Sequence, residues 1–374
     1  MSYLVVSTVT PRLSSGTGLR TYGVVAALAR HAPVELAYIE FDGNAPSAEF
    51  ARLEQLTLRA MRASRGPARA LAFARARATG IPDILARGVS PELLSAAADA
   101  APEVRVIADG PVAAAALLRQ ARRRPTAYLA HNLESSGFRP PAMQAAYERF
   151  ERDVLVTFVE TWMATRADAE GARRLVGAPI STRYVPNVID VGAITPVAPA
   201  PNPTLLLVAD YTYEPNRDAF EFLCDEVLPA VWRLRPEAEL VAVGRGLEPA
   251  PRDHRIHTPG FVADLRPVYA AAAVALVPLL RGGGSPLKFI EALSYGLPVV
   301  ATAHAASRLE YAVQGRDHLV ARSPEEFAAA VESLLADRAR AAALGAAGRE
   351  LVVAHYSVQY LATVLAETGS GWDS

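Results

Sequence analysis

The sequence predicts an α/β protein with two doubly wound, parallel-sheet domains. Short apolar runs typical of buried strands alternate with longer segments of helical periodicity along the chain. The length of 374 residues is more than one hydrophobic core usually serves. Prolines crowd residues 186–203, a composition typical of a semi-rigid linker, and a new strand pattern begins just after them.

The composition argues against several classes of protein. Hydrophobic residues make up 51% and charged residues 21%, which favours a large core over disorder. A net charge of −1 argues against nucleic-acid binding by bulk electrostatics. The single cysteine, Cys224, excludes an internal disulfide framework and a cysteine-rich metal site. We read no leader peptide and no apolar run near the roughly 20 residues that span a membrane, and we expect a cytoplasmic protein.

The first half alternates strands and helices, and its candidate ligand residues follow the strands. Strands are predicted at residues 3–6, 34–41, 104–108, 127–130 and 162–165. Helices are predicted at residues 19–30, 45–78 with a break at Gly66, 91–98, 112–123, 143–159 and 168–175. Ligands of parallel sheets bind beyond the carboxyl ends of the strands. The loop 7–18, with Gly16 and Gly18, and the strand-end His131 are therefore candidates, although a lone histidine there is more often structural.

The second half repeats the pattern around one stretch. Strands are predicted at residues 204–209, 239–243, 273–277 and 299–301, and helices at 217–234, 263–271, 286–295, 324–344 and 358–365. Between the strand 273–277 and the helix 286–295 lie Gly282, Gly283 and Gly284, which allow a sharp turn and close approach to a ligand. Ser285 is predicted as the N-cap and Pro286 as the first helical residue.

A strand, glycine loop and helix in this order make an anion site. The amides of Leu287 and Lys288 lack acceptors in the first turn, and the helix dipole favours a phosphate. The Lys288 ammonium adds a charge-assisted hydrogen bond of about 1.5–3 kcal/mol. Glu291 lies one turn deeper on nearly the same face, where it would repel phosphate but accept two sugar hydroxyls. The pattern favours a nucleoside diphosphate, although a glycine turn followed by a solvated Lys/Glu pair is a common alternative.

Together with the helix stop Gly296-Leu297-Pro298, these residues resemble the donor-binding signature of GT-B retaining glycosyltransferases of the large group 1, or family 4, type. The resemblance implies two Rossmann-like domains facing across a cleft. Residues 1–190 would be the acceptor side, residues 203–350 the donor side, and a helix in residues 351–374 would cross back to the first domain. In this family Glu291 would bind ribose, and the glycine loop with Ser285 would cradle diphosphate and sugar. Many members carry another glutamate where this chain has Gly283, and the sub-pattern here uses backbone amides instead.

The resemblance elsewhere is thinner. The run 128–134 is similar to a segment whose histidine, here His131, lies near the donor sugar. Residues 260–265 are similar to a segment whose backbone, near Val262, pairs with the nucleotide base. Gly16 and Gly18 would face the cleft, near phosphate or acceptor. An Arg/Lys pair that other subgroups use for the diphosphate is absent, and either Arg217 or Arg245 could supply a second cation.

The resemblance implies a hexosyltransferase that moves a sugar from a nucleoside-diphosphate sugar to an acceptor hydroxyl, with retention and without metal or cofactor. His131, Lys288 and Glu291 would be its catalytic residues. A sugar-nucleotide 2-epimerase of the same fold and a non-catalytic binding subunit remain alternatives. The acceptor stays open between a saccharide, a lipid-linked sugar and a small molecule.

Arginines cluster in the first domain, and a peripheral contact with the inner face of the membrane is one interpretation of them. A solvated helix face is the favoured one. The cluster comprises Arg59, Arg62, Arg65, Arg69, Arg75 and Arg77.

Overall fold

The computed structural model describes residues 1–13, 15–40, 45–64, 66–79, 81–82, 84–85, 90–136, 141–247 and 253–366. The chain forms two compact units, one made of Met1–Val188 with Val358–Ser374 and the other of Ile189–Ser357. Each unit contains a parallel sheet, as predicted for the fold class.

The first unit is built on a seven-stranded parallel sheet with the order β3-β2-β1-β4-β5-β6-β7. Its strands are β1 (Ser2–Ser7), β2 (Val34–Glu40), β3 (Leu56–Arg62), β4 (Val104–Asp109), β5 (Thr126–Leu129), β6 (Glu160–Met163) and β7 (Thr182–Tyr184). Its helices are α1 (Gly16–Leu28), α2 (Ala48–Ala51), α3 (Gly66–Thr79), α4 (Pro91–Asp99), α5 (Gly110–Ala121), α6 (Pro141–Thr157), α7 (Arg166–Val176) and, from the end of the chain, α15 (Val358–Ala366). Alternate residues of β1 enter two different cores, Leu4 and Val6 on one face and Tyr3 and Val5 on the other, because helices cover both faces.

One prediction in this unit was wrong. Residues 45–78, predicted to be mostly helical, contain strand β3 between two helices. Leu56 and Leu58 alternate with polar neighbours and pair with Val34 and Leu36 of β2 at the edge of the sheet. The many alanines and arginines around them have high helix propensity, and strand pairing overrides that propensity. The predicted break is correct, since α3 begins at Gly66.

The second unit has a six-stranded parallel sheet with the order β10-β9-β8-β11-β12-β13. Its strands are β8 (Thr204–Val208), β9 (Glu239–Val243), β10 (Ile256–Gly260), β11 (Val274–Val277), β12 (Val299–Thr302) and β13 (Leu319–Ala321). Its helices are α8 (Glu214–Phe222), α9 (Leu228–Leu234), α10 (Arg266–Ala270), α11 (Leu287–Ser294), α12 (Ala303–Ala306), α13 (Pro324–Ala336) and α14 (Arg338–His355). A π-helical turn, Leu223–Val227, joins α8 to α9.

Both sheets reverse their strand order beside their first strand, as in the Rossmann fold. In the second unit this switch point lies between β8 and β11. The loop after β11 contains the three glycines, and the loop after β8 leads into α8. The fold therefore brings the glycine loop and the start of α8 to the edge of the sheet where ligands bind in open α/β proteins.

The proline-rich segment packs on the second unit. The Val197 amide donates to the Tyr295 carbonyl at 2.8 Å, and the Ala200 amide donates to the Ala272 carbonyl at 2.8 Å. Main-chain hydrogen bonds thus hold residues expected to form a linker. Among the described residues, no helix has both the length and the hydropathy that crossing a membrane requires.

Candidate functional site

The predicted order of strand, glycine loop and helix is present, with the helix start shifted by one residue. Pro286 occupies the N-cap with φ −73° and ψ 95°, and Leu287 is the first helical residue. Ser285, predicted as the N-cap, is buried one residue earlier. The Phe289 amide donates to the Pro286 carbonyl at 2.9 Å. The amides of Leu287 and Lys288 precede the first intrahelical bond, so the two predicted anion donors are at the free end of the helix.

The glycine loop has a backbone that only glycine adopts readily. Gly282 has φ +121° and Gly284 has φ +70°, both in the region that disfavours a side chain. A Cβ on Gly282 would lie 3.6 Å from the Tyr213 hydroxyl and 3.7 Å from Cβ of Pro215. The loop after β8 therefore packs directly against the glycine loop.

Lys288 reaches the start of α8. Its Nζ donates to Oδ1 of Asn216, whose Nδ2 donates to the Asp210 carbonyl at 2.7 Å. Burial of the ammonium lowers the pKa of Lys288 to about 7, although the nearby Asp210 acts in the opposite direction. The side chain that accepts from this cation is thus a neutral amide, and among the described residues no carboxylate forms an ion pair with it.

Glu291 is held separately, by an aromatic pair. The Tyr269 hydroxyl donates to Oε2 of Glu291 at 3.2 Å, and the Tyr269 ring stacks on Tyr295 with centroids 4.1 Å apart and an angle of 13°. Burial raises the pKa of Glu291 to about 7, and the Tyr269 hydrogen bond opposes this rise. Within the described residues no ion pair joins Lys288 to Glu291, which disfavours the alternative of a solvated Lys/Glu pair.

The two arginines considered as a second cation differ in their surroundings. Arg245 binds Asp210 through Nε at 3.0 Å and Nη2 at 2.6 Å, so its charge is already balanced. Arg217 is exposed on α8. Arg281, which directly precedes Gly282, pairs with Asp218 at 2.6 Å and with Glu214 at 2.8 Å. The structure thus balances Arg245 and Arg281 with carboxylates and leaves Lys288 beside an amide.

Val262 lies in the loop between β10 and α10, the helix that also carries Tyr269. It is half-buried and packs on the core shared with Phe289 and Ile290 of α11. Gly260, with φ +79°, ends β10 and turns the chain into this loop. The predicted base-binding segment and the predicted ribose-binding helix therefore pack on the same hydrophobic core.

His131, in the first unit, is half-buried and pairs with the buried Asp109. Its Nε2 is 2.8 Å from Oδ1 of Asp109, and the Thr21 hydroxyl donates to Oδ2 at 2.8 Å. Burial alone would raise the pKa of Asp109, but His131 and the hydrogen bonds from Thr21 and Ser7 outweigh it, and the pKa is lowered. An ionised Asp109 requires the proton on Nε2, which leaves Nδ1 as the ring nitrogen that does not contact Asp109.

Arg20 fixes the strand ends beside His131. Its guanidinium is buried and donates to the carbonyls of Ala130 and Val185, each at 2.9 Å, and to that of Trp162 at 3.2 Å. Burial lowers the pKa of Arg20 to about 10. The carbonyl of Ala130 directly precedes His131, so Arg20 helps to define where the His131 backbone lies.

Gly16 and Gly18 lie within helix α1, which begins earlier than predicted. Gly16 is its first residue, and the Gly18 amide donates to the Ser15 hydroxyl at 3.1 Å as an N-cap bond. A Cβ on Gly18 would lie 1.7 Å from the Arg12 carbonyl oxygen. Close packing inside the unit therefore accounts for Gly18 without a ligand.

The arginine cluster is only partly within the described residues. Arg59 pairs with Glu35 across β3 and β2 at 3.1 Å, and the Arg69 guanidinium lies 5.8 Å from the centre of the Phe73 ring. Arg65 and the side chains of Arg75 and Arg77 lie outside the description. The described members are thus a solvent-facing set with local partners.

Two side chains at this site, Asn216 beside Lys288 and Tyr269 beside Glu291, escaped the sequence prediction. One available signal was overlooked: Lys288 is the only lysine among 38 basic residues. A chain that uses arginine everywhere else indicates that position 288 requires an ammonium group.

Among the described residues, no three His, Cys, Asp or Glu side chains are grouped so as to hold a metal ion.

A family model matches most of the second unit. Residues 202–337 match the model described as Glycosyl transferases group 1. The matched region spans β8 to α13 and contains Asn216, Val262, Lys288 and Glu291.

A curated relative aligns with more of the chain than the family model does. The chain is 30% identical over 250 residues to a Mycobacterium tuberculosis protein described as GDP-mannose-dependent alpha-(1-6)-phosphatidylinositol monomannoside mannosyltransferase. The aligned region covers 59% of this chain and 62% of that protein, so the chain spans less than two thirds of the relative's length.

Solved structures match the whole chain, both units included. A sucrose-phosphate synthase from Thermosynechococcus elongatus has a TM-score of 0.71 at 20% identity, and covers 98% of each chain. Anabaena HepE, in complex with UDP and glucose, has a TM-score of 0.70 at 16% identity, again with 98% of each chain covered. At these identities the likeness shows the fold, and it confirms the predicted GT-B class.

Proposed function

We propose that this protein is a glycosyltransferase that moves a hexose-type sugar from a nucleoside-diphosphate sugar to an acceptor hydroxyl. One observation carries the proposal. Lys288 and Glu291, one turn apart at the start of α11, each lie beside a separate neutral partner and are both shifted to a pKa of about 7 by burial. Perturbed groups of opposite charge beside a glycine loop are typical of a ligand site rather than a structural ion pair.

The chemistry follows from the position of each group. The Lys288 ammonium and the amides of Leu287 and Lys288 would stabilise charge that grows on the leaving diphosphate as the glycosidic bond breaks. Ionised Glu291 would accept hydrogen bonds from the ribose hydroxyls. We propose that these groups act in place of a metal ion, and that Gly282, Gly283 and Gly284 line the sugar.

His131 is proposed to contact a sugar hydroxyl through Nδ1, the ring nitrogen that does not contact Asp109. Transfer with retention is proposed by resemblance: in a front-face reaction the leaving phosphate accepts the acceptor's proton, and no protein base is required. The NMR coupling constant of the new anomeric proton tests this, since an inverted product would contradict retention.

The donor and acceptor are proposed only as classes. The M. tuberculosis relative is described as GDP-mannose-dependent, and HepE binds UDP, so UDP- and GDP-hexoses are the first donors to test. A saccharide, a lipid-linked sugar or a small molecule would be the acceptor. We propose a cytoplasmic location, and a peripheral membrane contact through the arginine cluster would suit a lipid-linked acceptor.

Turnover tests the proposal. Release of nucleoside diphosphate from UDP-glucose, UDP-N-acetylglucosamine, GDP-mannose and ADP-glucose would be measured with and without candidate acceptors. Lys288→Met and Glu291→Gln are expected to lose most turnover, whereas the exposed control Glu237→Gln should retain it. Turnover unchanged in Lys288→Met would refute the assignment, and conversion of a donor without acceptor would indicate an epimerase.

A further inference from the structure

Two side chains from the segment after β12 bind one carbonyl of the glycine loop. Nε2 of His304 and Nη2 of Arg308 each lie 3.1 Å from the Gly282 carbonyl oxygen. His304 is in the short helix α12, and Arg308 follows this helix closely. Both residues are half-buried, and neither belongs to the motif that suggested the site.

Fixing this carbonyl also fixes the next amide. A trans peptide places the C=O of one residue and the N–H of the next on opposite sides, and no peptide bond in the described chain is cis. The Gly283 N–H therefore points away from His304 and Arg308. Within the described part of the chain, this N–H makes no hydrogen bond.

The surrounding groups fix the orientation of the peptide group between Gly282 and Gly283. Gly282 has φ +121°, which lets its carbonyl turn toward His304, and on another side the loop packs on Tyr213 and Pro215. Burial lowers the pKa of His304, and the charge of Arg308 lowers it further. A neutral His304 donates to a carbonyl only through a protonated Nε2, so this contact also determines its tautomer.

We propose that His304 and Arg308 are positioning residues that aim the Gly283 N–H at the bound donor. The inference rests on the proposed function and adds that the Gly283 N–H forms a hydrogen bond to the bound donor. At position 283 the chain presents a backbone N–H, which is a hydrogen-bond donor. The ligand atom it meets is therefore an acceptor oxygen, on either the diphosphate or the sugar.

The experiment compares variants that remove the two donors with variants that keep them. His304→Phe preserves a ring without an N–H, and Arg308→Met preserves a long stem without a guanidinium. His304→Gln and Arg308→Lys retain a donor at each position. For each variant, kcat and KM are measured with the nucleotide sugar that the wild type consumes. Binding of UDP or GDP alone is measured by calorimetry. Exchange of the backbone amide hydrogens over residues 280–286 is measured by mass spectrometry.

Losing a preorganised donor at a reacting oxygen costs about 10²–10³ in rate, and a misaimed one is expected to cost about 10–100-fold in kcat/KM. The double variant His304→Phe/Arg308→Met should show this loss and faster amide exchange, and His304→Gln/Arg308→Lys should recover most of both. Weaker binding of UDP or GDP alone would assign the contact to the diphosphate. Unchanged diphosphate binding with reduced turnover would assign it to the sugar.

Two results overturn the inference. One is a double variant with wild-type kcat/KM while Lys288→Met is inactive, which would leave the proposed function intact. The other is unchanged amide exchange over residues 280–286, which would mean that His304 and Arg308 do not hold the loop. A wild-type protein that turns over no nucleotide sugar would instead refute the proposed function, and the exchange measurement would still decide whether the loop is held.

Discussion

Replacing Lys288 with methionine should stabilise the protein at neutral pH while removing donor binding. Below about pH 7 the ammonium is charged in both the folded and the unfolded chain, so the full cost of burying it is present. This cost falls as the pH rises from about 7 toward 10.5, and above 10.5 it vanishes because the amine is neutral in both states.

The magnitude follows from the two pKa values. Lowering the pKa from 10.5 to about 7 corresponds to at most about 4 kcal/mol of lost stability at pH 7. Lys288 is only half-buried, so we expect roughly half of this, about 2 kcal/mol. Loss of the hydrogen bond to Asn216 offsets about 1 kcal/mol of the stability gained by removing the ammonium. The variant should gain about 1 kcal/mol at pH 7 and little at pH 9.5.

Denaturant unfolding at pH 7 and pH 9.5 measures this difference, with Arg217→Met as a control that removes an exposed cation from the same region. Since Lys288 is the only lysine, reductive methylation with ¹³C-formaldehyde labels a single side chain besides the terminal amine. The NMR shift of that label then follows the pKa of Lys288 directly. A variant less stable than the wild type by the same amount at both pH values would refute the reasoning.

Four further outcomes are expected. In pH–rate profiles, the donor kcat/KM should fall below about pH 7 as the Glu291 carboxylate protonates, and Glu291→Gln should have a lower kcat/KM that lacks this acid limb. Tyr269→Phe removes the hydrogen bond that opposes the raised pKa of Glu291, so the acid limb of the profile should move to higher pH. Arg20→Met should lower the free energy of unfolding by about 2–4 kcal/mol, measured by denaturant unfolding, because three strand-end carbonyls lose a buried donor. Gly18→Ala should lower the melting temperature, because its Cβ would overlap the Arg12 carbonyl, and a variant as stable as the wild type would contradict that packing.

The part of the fold that depends on local pattern was predictable. The alternation of buried strands and helices predicted two parallel sheets, and the glycines before Leu287 predicted the free helix end. Strand β3 was missed because pairing with β2 decides its structure, and its own alanines and arginines favour a helix. The N-cap was misplaced by one residue, since serine is the commoner cap and proline the commoner first helical residue.

The site was predictable only where its residues are close in sequence. Lys288 and Glu291 lie one turn apart, and helical geometry alone relates them. Their partners are distant in the chain: Asn216 is 72 residues from Lys288, and Tyr269 is 22 residues from Glu291. Sheet order brings these segments together, and the residue spacing along the sequence does not encode that order.

We propose that the start of α11 binds a diphosphate and that Glu291 binds its ribose. A crystal structure with UDP or GDP, whichever raises the unfolding temperature more, tests this proposal. We expect phosphate oxygens within hydrogen-bond distance of the Leu287 and Lys288 amides and the Lys288 ammonium, and both ribose hydroxyls hydrogen-bonded to Glu291. A nucleotide bound elsewhere, with Lys288 still hydrogen-bonded to Asn216 and Glu291 still hydrogen-bonded to Tyr269, would contradict this proposal.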